Sequence, residues 1–252
     1  KKITYFMKLS FVIPSFQDIR ILETIESIYK IDVPSSDCIE IIVQDAGSSN
    51  EILDKIKNKL KKNDKLFLEK DKGIFDGINK GLRNTTGDLI ATLGTDDRVL
   101  ALDYYELKRN YIEGYNFIQY DINYTNELWK PIRFWKAKRL SYYKYLLGMQ
   151  YPHFGLICTK DIYEQVNYFN IKNKINADYE FFYYCCFIKN LNQKIINKIF
   201  VQMKIGGNSS AGLKAVLKGN ISILKFILRK NPLLLLGLFL KPIYKLNEFL
   251  KA

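Results

Sequence analysis

The chain has 252 residues, of which 48% are hydrophobic and 26% charged, the ordinary balance of a globular protein with a sizeable core. Its four cysteines show no C-x-x-C spacing, which argues against a disulfide framework or a zinc site and favours a reducing cytoplasm. We expect no signal peptide, because Lys1 and Lys2 precede no sustained apolar run. The formal net charge of +13 indicates an anionic partner.

The first hundred residues alternate predicted strands and helices. Short apolar runs predict buried strands at 8–13, 39–43, 66–68 and from Leu89 onward. Amphipathic segments predict helices at 18–29, with Asp18 as the N-cap, and at 51–62 and 74–82. This alternation predicts an α/β fold with a mostly parallel sheet flanked by helices and with its functional loops along one edge.

The remainder is less regular, with strands predicted near 116–120, 129–135, 153–158 and 195–205 and helices near 139–147, 160–166 and 179–189. Residues 213–252 carry eight Lys or Arg against one Glu, interleaved with apolar residues. The apolar run at 233–240 is far short of the roughly 20 residues needed to span a bilayer, so the basic amphipathic tail favours an in-plane membrane anchor. The alternatives are a helical hairpin that packs on the domain or an oligomer interface. We therefore expect a domain at 1–212, with halves at 8–99 and 100–212, and a tail at 213–252.

Polar loops follow the four strands of the first half. They contain Pro14-Ser15-Phe16-Gln17, Asp45 beside Gly47 and Ser48, Lys70-Asp71-Lys72-Gly73, and Thr95-Asp96-Asp97. The adjacent carboxylates Asp96 and Asp97 are a candidate metal–diphosphate site, because Mg²⁺ takes one or two protein carboxylates together with substrate phosphates. The alternative is an ordinary polar turn. Four such loops at one sheet edge favour a nucleotide site, although neither a P-loop nor a G-x-G-x-x-G sequence is present.

The loops resemble, in order and spacing, the inverting family 2 glycosyltransferases of the GT-A (Rossmann-like) fold that assemble bacterial polysaccharides such as O-antigen. The most specific resemblance is that of residues 71–81, DKGIFDGINKG, to the DKGIYDAMNKG of such enzymes. Residues 14–17, 45–50 and 94–97 resemble the Pro-Thr-Tyr-Asn start, the Asp-Gly-Gly-Ser-Thr-Asp loop and the DXD-type element. Further matches are His153-Phe154 to a His-Gln pair, Ala177-Asp178-Tyr179-Glu180 to Ala-Asp-Tyr-Asp, and residues 206–210 to a Gly-Gly-x-Ser loop.

The resemblance implies a role for each matched position. Asp178 would be the catalytic base for the acceptor hydroxyl, the alternative being a helix N-cap. Asp97 would bind Mn²⁺ or Mg²⁺. Nucleotide and donor contacts would come from Pro14, Ser15, Phe16, Asp45, Asp71, Lys72, Asn79 and Asp96, of which Asp96 would hold ribose or sugar hydroxyls. Acceptor or phosphate contacts would come from Gly207, Ser209 and His153, unless this single histidine is structural.

We therefore expect a metal-dependent inverting hexosyl- or N-acetylhexosaminyltransferase that uses a UDP-sugar. The basic tail favours a saccharide acceptor linked to a lipid, such as a polyprenyl-diphosphate glycan, and a peripheral location on the inner face of the cell membrane. Homo-oligomerisation stays open. One alternative is a basic nucleic-acid-binding protein, but the sequence shows no nucleic-acid-binding motif and the carboxylates would then have no purpose. Another is a non-catalytic subunit of the same fold.

Overall fold

The computed structural model describes residues 6–147, 150–205, 213–235 and 237. The strands in this part of the chain are β1 (Lys8–Ser15), β2 (Cys38–Asp45), β3 (Lys65–Leu68), β4 (Leu89–Thr92), β5 (Asp97–Val99), β6 (Phe117–Thr125), β7 (Pro131–Trp135), β8 (Leu156–Cys158) and β9 (Gln193–Lys204). The helices are α1 (Ile21–Ile28), α2 (Asn50–Lys59), α3 (Ile74–Asn84), α4 (Tyr104–Ile112), α5 (Tyr142–Leu146), α6 (Lys160–Gln165), α7 (Ala177–Cys185) and α8 (Leu213–Lys230). Two 3-10 turns lie at His153–Gly155 and Pro232–Leu234.

The first half of the sheet is parallel, as predicted. Its strands lie in the order β3-β2-β1-β4, so β1 is flanked on both sides. Ser15 at the end of β1 pairs with Asp45 at the end of β2, and Asp45 pairs in turn with Leu68 at the end of β3. The carboxyl ends of these strands, with the loops that follow them, therefore meet at one edge, which we call the donor edge.

The second half of the sheet is mixed. Strand β8 runs antiparallel to both β4 and β6, β6 runs parallel to β9, and β5 and β7 add antiparallel partners to β9 and β6. The sheet is thus wholly parallel in its first half, as predicted, and combines parallel and antiparallel pairs in its second half. The sequence analysis also missed β5 and α4, and it extended the strand at β8 over residues 153–155, which form a 3-10 turn.

Two apolar clusters cover the two faces of the sheet. Because alternate residues of a strand point to opposite faces, Phe11 and Ile13 of β1 join one cluster and Val12 joins the other. Helices α1, α2 and α4 pack on the first face, and α3, α6, α7 and α8 pack on the second. The donor edge is therefore held between two layers of helices.

Helix α8 packs on α7 through its described residues. The ring of Phe226 lies against the rings of Tyr179, Tyr183 and Tyr184, at centroid distances of 6.0, 5.2 and 6.1 Å. The Asn176 side-chain amide donates to the carbonyl of Gly219 at 2.7 Å. This part of the predicted tail thus contacts the domain, while Ile221 and Leu228 are exposed. None of the helices in the described ranges is long and apolar enough to span a membrane.

Candidate active site

The two carboxylates after β4 differ in environment. Asp97 is the first residue of β5 and is buried, and its Oδ2 accepts a hydrogen bond from the Gly94 N–H at 2.6 Å. The pKa of Asp97 is raised to about 7. Burial is the main cause and the negative charge of Asp96 adds to it, while the hydrogen bond from the Gly94 N–H acts in the opposite direction. Asp96 instead accepts a hydrogen bond from the Arg20 guanidinium at 3.1 Å. The carboxylate of Asp97 is therefore strongly desolvated, and that of Asp96 is ion-paired.

Gly94 leaves a small space between these carboxylates. A Cβ atom at Gly94 would lie 3.0 Å from Asp97 Oδ2 and 3.4 Å from Asp96 Oδ1, so both side chains turn toward the same point. A desolvated carboxylate with a second carboxylate beside it fits a hard divalent cation. No three His, Cys, Asp or Glu side chains form a metal site in the described part of the chain. A cation here would take its remaining oxygen ligands from a bound diphosphate or from water.

A ring of side-chain hydrogen bonds, closed by the backbone between Thr95 and Asp96, joins this loop to the loop after β1. Asp18 Oδ1 accepts from Arg20 Nε at 2.9 Å, and Asp18 Oδ2 accepts from Arg20 Nη2 at 2.7 Å and from Thr95 Oγ1 at 2.6 Å. Burial raises the pKa of Asp18, but the hydrogen bonds from Arg20 and Thr95 outweigh it and the pKa is lowered. Arg20 Nη1 completes the ring at Asp96.

The prediction that Asp18 caps the first helix is wrong. Helix α1 begins at Ile21 and its N-cap residue is Arg20, because the Asp18 carboxylate is occupied by Arg20 and Thr95. The sequence analysis missed Arg20 altogether, since nothing in the sequence shows that it meets a residue 76 positions away.

Asp45 organises the loop after β2. It is buried, and its carboxylate accepts hydrogen bonds from the Gly47 N–H at 2.8 Å, the Ser48 N–H at 2.7 Å and the Ser48 hydroxyl at 2.7 Å. Ser48 Oγ accepts in turn from the Gln17 N–H at 2.7 Å, so the loops after β1 and β2 are tied together. At the end of β1, Pro14 and Ser15 are buried and Phe16 is exposed. The Ser15 hydroxyl has no hydrogen-bond partner among the described residues.

The segment of residues 71–81 covers the same edge. Asp71 Oδ1 accepts from the Gly73 N–H at 3.0 Å, and its pKa is raised by burial and by the charges of Asp76 and Asp45. Lys72 is exposed. The amide of Asn79 is buried and makes two hydrogen bonds to the backbone of Phe169, at 2.8 and 3.0 Å. Asn79 thus fastens α3 to the loop before α7, and its contact with a donor stays a prediction.

Asp178 lies in the first turn of α7, at the second helical position. The N-cap position belongs to Asn176, so the alternative that Asp178 is the N-cap is wrong. Its Oδ1 accepts from the Tyr179 N–H at 2.9 Å, and the residue is half-buried. Near it in the chain, the buried Glu180 accepts from the amides of Asn170 and Asn173 at 2.8 and 2.7 Å. The catalytic role of Asp178 stays a prediction.

His153 is buried behind the donor edge. Its Nε2 lies 3.3 Å from the Thr92 hydroxyl at the end of β4, and its ring packs edge-on against Phe169 at 4.9 Å. Burial lowers the pKa of His153 to about 3, so the ring is neutral. Phe169, which the sequence analysis did not select, also contacts Phe181 of α7 at 4.9 Å. Gly207 and Ser209 lie outside the described residues.

The described geometry thus brings Ser15, Asp45, Asp71, Asp96 and Asp97 to one sheet edge, in the order that the sequence implied. The family model described as "Glycosyl transferase family 2" matches residues 10–200. The chain belongs to this family. No curated protein matches the chain.

Solved structures of similar fold include TarS and a mannosyltransferase. Staphylococcus aureus TarS has a TM-score of 0.61 and 18% identity over 88% of this chain, which spans 43% of the TarS chain. Residues 1–349 of TarS, in complex with UDP-GlcNAc, give a TM-score of 0.61 and 16% identity, with 88% of this chain and 67% of that one covered. The mannosyltransferase PcManGT of Pyrobaculum calidifontis, in complex with GDP-Man and Mn²⁺, has a TM-score of 0.64 and 14% identity over 94% of this chain and 70% of its own. The predicted family and GT-A fold are therefore confirmed.

Proposed function

We propose that the chain transfers a sugar from a nucleotide donor, with inversion, to a saccharide acceptor, and that a divalent cation assists the transfer. The observation that carries this proposal is the desolvated Asp97 carboxylate beside Asp96 at the donor edge. The complexes of TarS with UDP and UDP-GlcNAc and of PcManGT with GDP-Man and Mn²⁺ support a nucleotide-sugar donor and a divalent cation. We expect a UDP-sugar, with Mn²⁺ or Mg²⁺.

The residues of the donor edge then have distinct tasks. Asp45, with Ser15 and Phe16, would bind the nucleoside. Asp71 and Lys72 would lie beside the sugar and the phosphates, and Asp96 would accept from donor hydroxyls. When bound at Asp97, the cation would neutralise charge on the departing diphosphate. Asp178 would take the proton of the acceptor hydroxyl as that oxygen attacks the anomeric carbon.

Two substitutions test this assignment. Removal of a general base slows a reaction by roughly 10²- to 10⁴-fold, so Asp178→Asn should lower kcat by at least 100-fold and leave UDP binding intact. Asp97→Asn should abolish the gain in UDP affinity on addition of Mn²⁺, as measured by calorimetry. Asp161→Asn is the matched control for Asp178, because Asp161 holds the same position in the first turn of α6 and is exposed. Wild-type turnover in both the Asp97 and Asp178 variants would contradict the proposal.

We further propose that the acceptor is linked to a lipid and that the protein binds the inner membrane surface. A partly exposed aromatic and apolar surface supports this, which we call the Tyr142 patch: the half-buried Tyr142 and the exposed Tyr143, Phe187 and Leu233. The Tyr142 ring lies 6.3 Å from that of Tyr143 and 5.4 Å from that of Phe187. The Tyr142 hydroxyl also accepts a hydrogen bond from the side-chain amide of Asn231. The Oδ1 atom of the same amide accepts from the Leu233 N–H at 2.9 Å. The patch therefore combines α5, the end of α7 and the turn after α8.

Charge supports the same partner. Residues 128–160 contain seven Lys or Arg and residues 181–247 contain eleven, and neither segment has an Asp or Glu. The Tyr142 patch is formed from these two segments, with Lys144, Lys189 and Lys230 close to it in the chain. An apolar surface with basic neighbours is what binding to anionic lipid requires.

A further inference from the structure

Arg20 is the hub of the ring formed by Asp18, Arg20, Thr95 and Asp96, which we call the donor-edge ring. Its Nε and Nη2 atoms donate to the two carboxylate oxygens of Asp18, and its Nη1 atom donates to Asp96. The planar guanidinium cannot turn toward another partner without breaking two or three of these bonds. The Thr95 hydroxyl also donates to Asp18, at the same Oδ2 atom that accepts from Arg20 Nη2, so residues of both neighbouring loops fix the orientation of Arg20.

The ring contributes little to overall stability. Arg20 is half exposed and lies just before α1, outside both apolar clusters. Ion pairs in such exposed positions contribute little to the free energy of folding. The position of the ring matters more, because the ring holds Asp96. The Oδ1 atom of Asp96 and the carboxylate of Asp97 both face the small space over Gly94.

Without Arg20, Asp96 would have two reasons to move. The ionised form of Asp97 would repel it, and no other Lys or Arg among the described residues lies within ion-pair distance of Asp96. A carboxylate that must accept from ligand hydroxyls binds more tightly when its rotamer is already fixed, since the cost of ordering it is not incurred on binding. Arg20 supplies that restraint from the face away from Gly94, through the other oxygen, Oδ2.

We propose that Arg20 is a positioning residue for donor binding that acts through Asp96, with Asp18 orienting Arg20. This inference rests on the proposed function, because it assumes that a nucleotide occupies the donor edge. In this role Arg20 affects the binding of the hydroxyl-bearing part of the nucleotide and makes no direct contact with the phosphates.

A double-mutant cycle with three probes tests this role. UDP and GDP, each with Mn²⁺, are titrated by calorimetry into the wild type, Arg20→Gln, Asp96→Asn and the double variant, and pyrophosphate with Mn²⁺ serves as a probe without ribose. Arg20→Gln should raise the Kd of the nucleotide at least fivefold and leave that of pyrophosphate unchanged. In the Asp96→Asn background it should have no further effect. Turnover should show a raised KM with kcat within twofold.

Variants close to Arg20 provide the controls. Arg20→Lys keeps the charge but loses the two-pronged bond to Asp18, so it should give an intermediate Kd. Lys59→Gln removes another exposed ion pair of similar length, 3.0 Å to Glu26 of α1, and should leave nucleotide affinity unchanged. Equal melting temperatures would show that the variants are folded, as the exposure of Arg20 leads us to expect.

Four outcomes would overturn the inference. Weaker pyrophosphate binding in Arg20→Gln, or a loss of nucleotide affinity that persists in the Asp96→Asn background, would make Arg20 a direct phosphate ligand. Unchanged nucleotide affinity in Arg20→Gln would leave the ring with a structural role only. A wild-type protein that binds neither UDP nor GDP would overturn the proposed function, and this inference with it.

Discussion

His153 shows how much of a residue's chemistry depends on burial. As the single histidine of the chain, it attracts attention as an acid, a base or a phosphate contact. The structure places it behind the donor edge, between Thr92 and Phe169, where burial lowers its pKa to about 3. A phosphate contact by this side chain would therefore be made by a neutral imidazole. The sequence identified the position but could not show the aromatic packing that removes the charge.

The burial of His153 predicts an acid-sensitive fold. The folded-state pKa lies below the unfolded value of about 6.5, so on acidification the unfolded chain binds the proton first and stability falls from about pH 6.5 toward pH 3. Between pH 7.5 and 5 this contribution is about 2 kcal/mol. The proton NMR signal of the single imidazole should show no titration over that range. Urea unfolding of His153→Gln should show a correspondingly smaller pH dependence, and an imidazole that titrates near pH 6.5 would contradict the prediction.

At the scale of elements, helix α3 packs unusually close to β1 because of two glycines one turn apart. A Cβ at Gly81 would lie 2.4 Å from Val12 Cγ1 in the buried layer between helix and sheet. A Cβ at Gly77 would lie 2.8 Å from Asp71 Oδ2 and 3.2 Å from Pro14 Cβ. The first contact involves the core and the second involves the movable end of a side chain at the donor edge.

Alanine substitutions should separate these two contacts. Gly81→Ala should lower the free energy of unfolding by roughly 1–3 kcal/mol, since the clash with Val12 cannot relax without moving α3. Gly77→Ala should change stability by less than about 1 kcal/mol, because improved helix propensity offsets the contact, but it should raise the donor KM by displacing Asp71. Urea unfolding and steady-state kinetics measure the two effects. Full stability of Gly81→Ala would show that the close approach is not required.

The elements that the sequence predicted are those with strong periodicity. The parallel half of the fold and the segment of residues 71–81 follow from apolar runs and from the family resemblance. Strand β5 was missed because it has three residues and begins at a candidate site residue. Helix α4 was missed although a capping signal is present, for Asp103 accepts from the Glu106 N–H at 2.9 Å. The ring around Arg20 was beyond prediction, because its members come from two loops whose contact depends on the tertiary fold.

At the scale of the whole molecule, positive charge is separated from the carboxylates. The acidic residues of the donor edge come from the first hundred residues, whereas residues 181–247 have none. The described part of α8 turns Ile223, Phe226 and Ile227 toward the domain and leaves basic and apolar residues outside. Packing on the domain and binding to lipid are therefore compatible, since they use different faces of this helix.

The Tyr142 patch predicts membrane binding that does not depend on the tail alone. Tyr143 is 77% exposed and Phe187 is 57% exposed, so a Tyr143→Ser/Phe187→Ser variant should fold normally. It should bind vesicles containing phosphatidylglycerol roughly tenfold more weakly than the wild type, because two apolar contacts with the bilayer are lost. Tyr105→Ser is the control, since Tyr105 is 56% exposed on α4, on the opposite face of the sheet. Equal vesicle sedimentation of all three proteins would contradict a lipid role for the patch.

The hydrogen bonds that Ser48 donates to Asp45 and accepts from Gln17 have an evolutionary consequence. Gln17 has a φ of +52°, a conformation that Asn adopts more readily than Gln, and its N–H is held by the same hydroxyl that serves Asp45. A substitution at any one of these three positions removes or changes a hydrogen bond on which the other two depend. Homologous chains with a different base preference should therefore replace Gln17, Asp45 and Ser48 together, whereas residues on the acceptor side of the sheet can diverge one at a time.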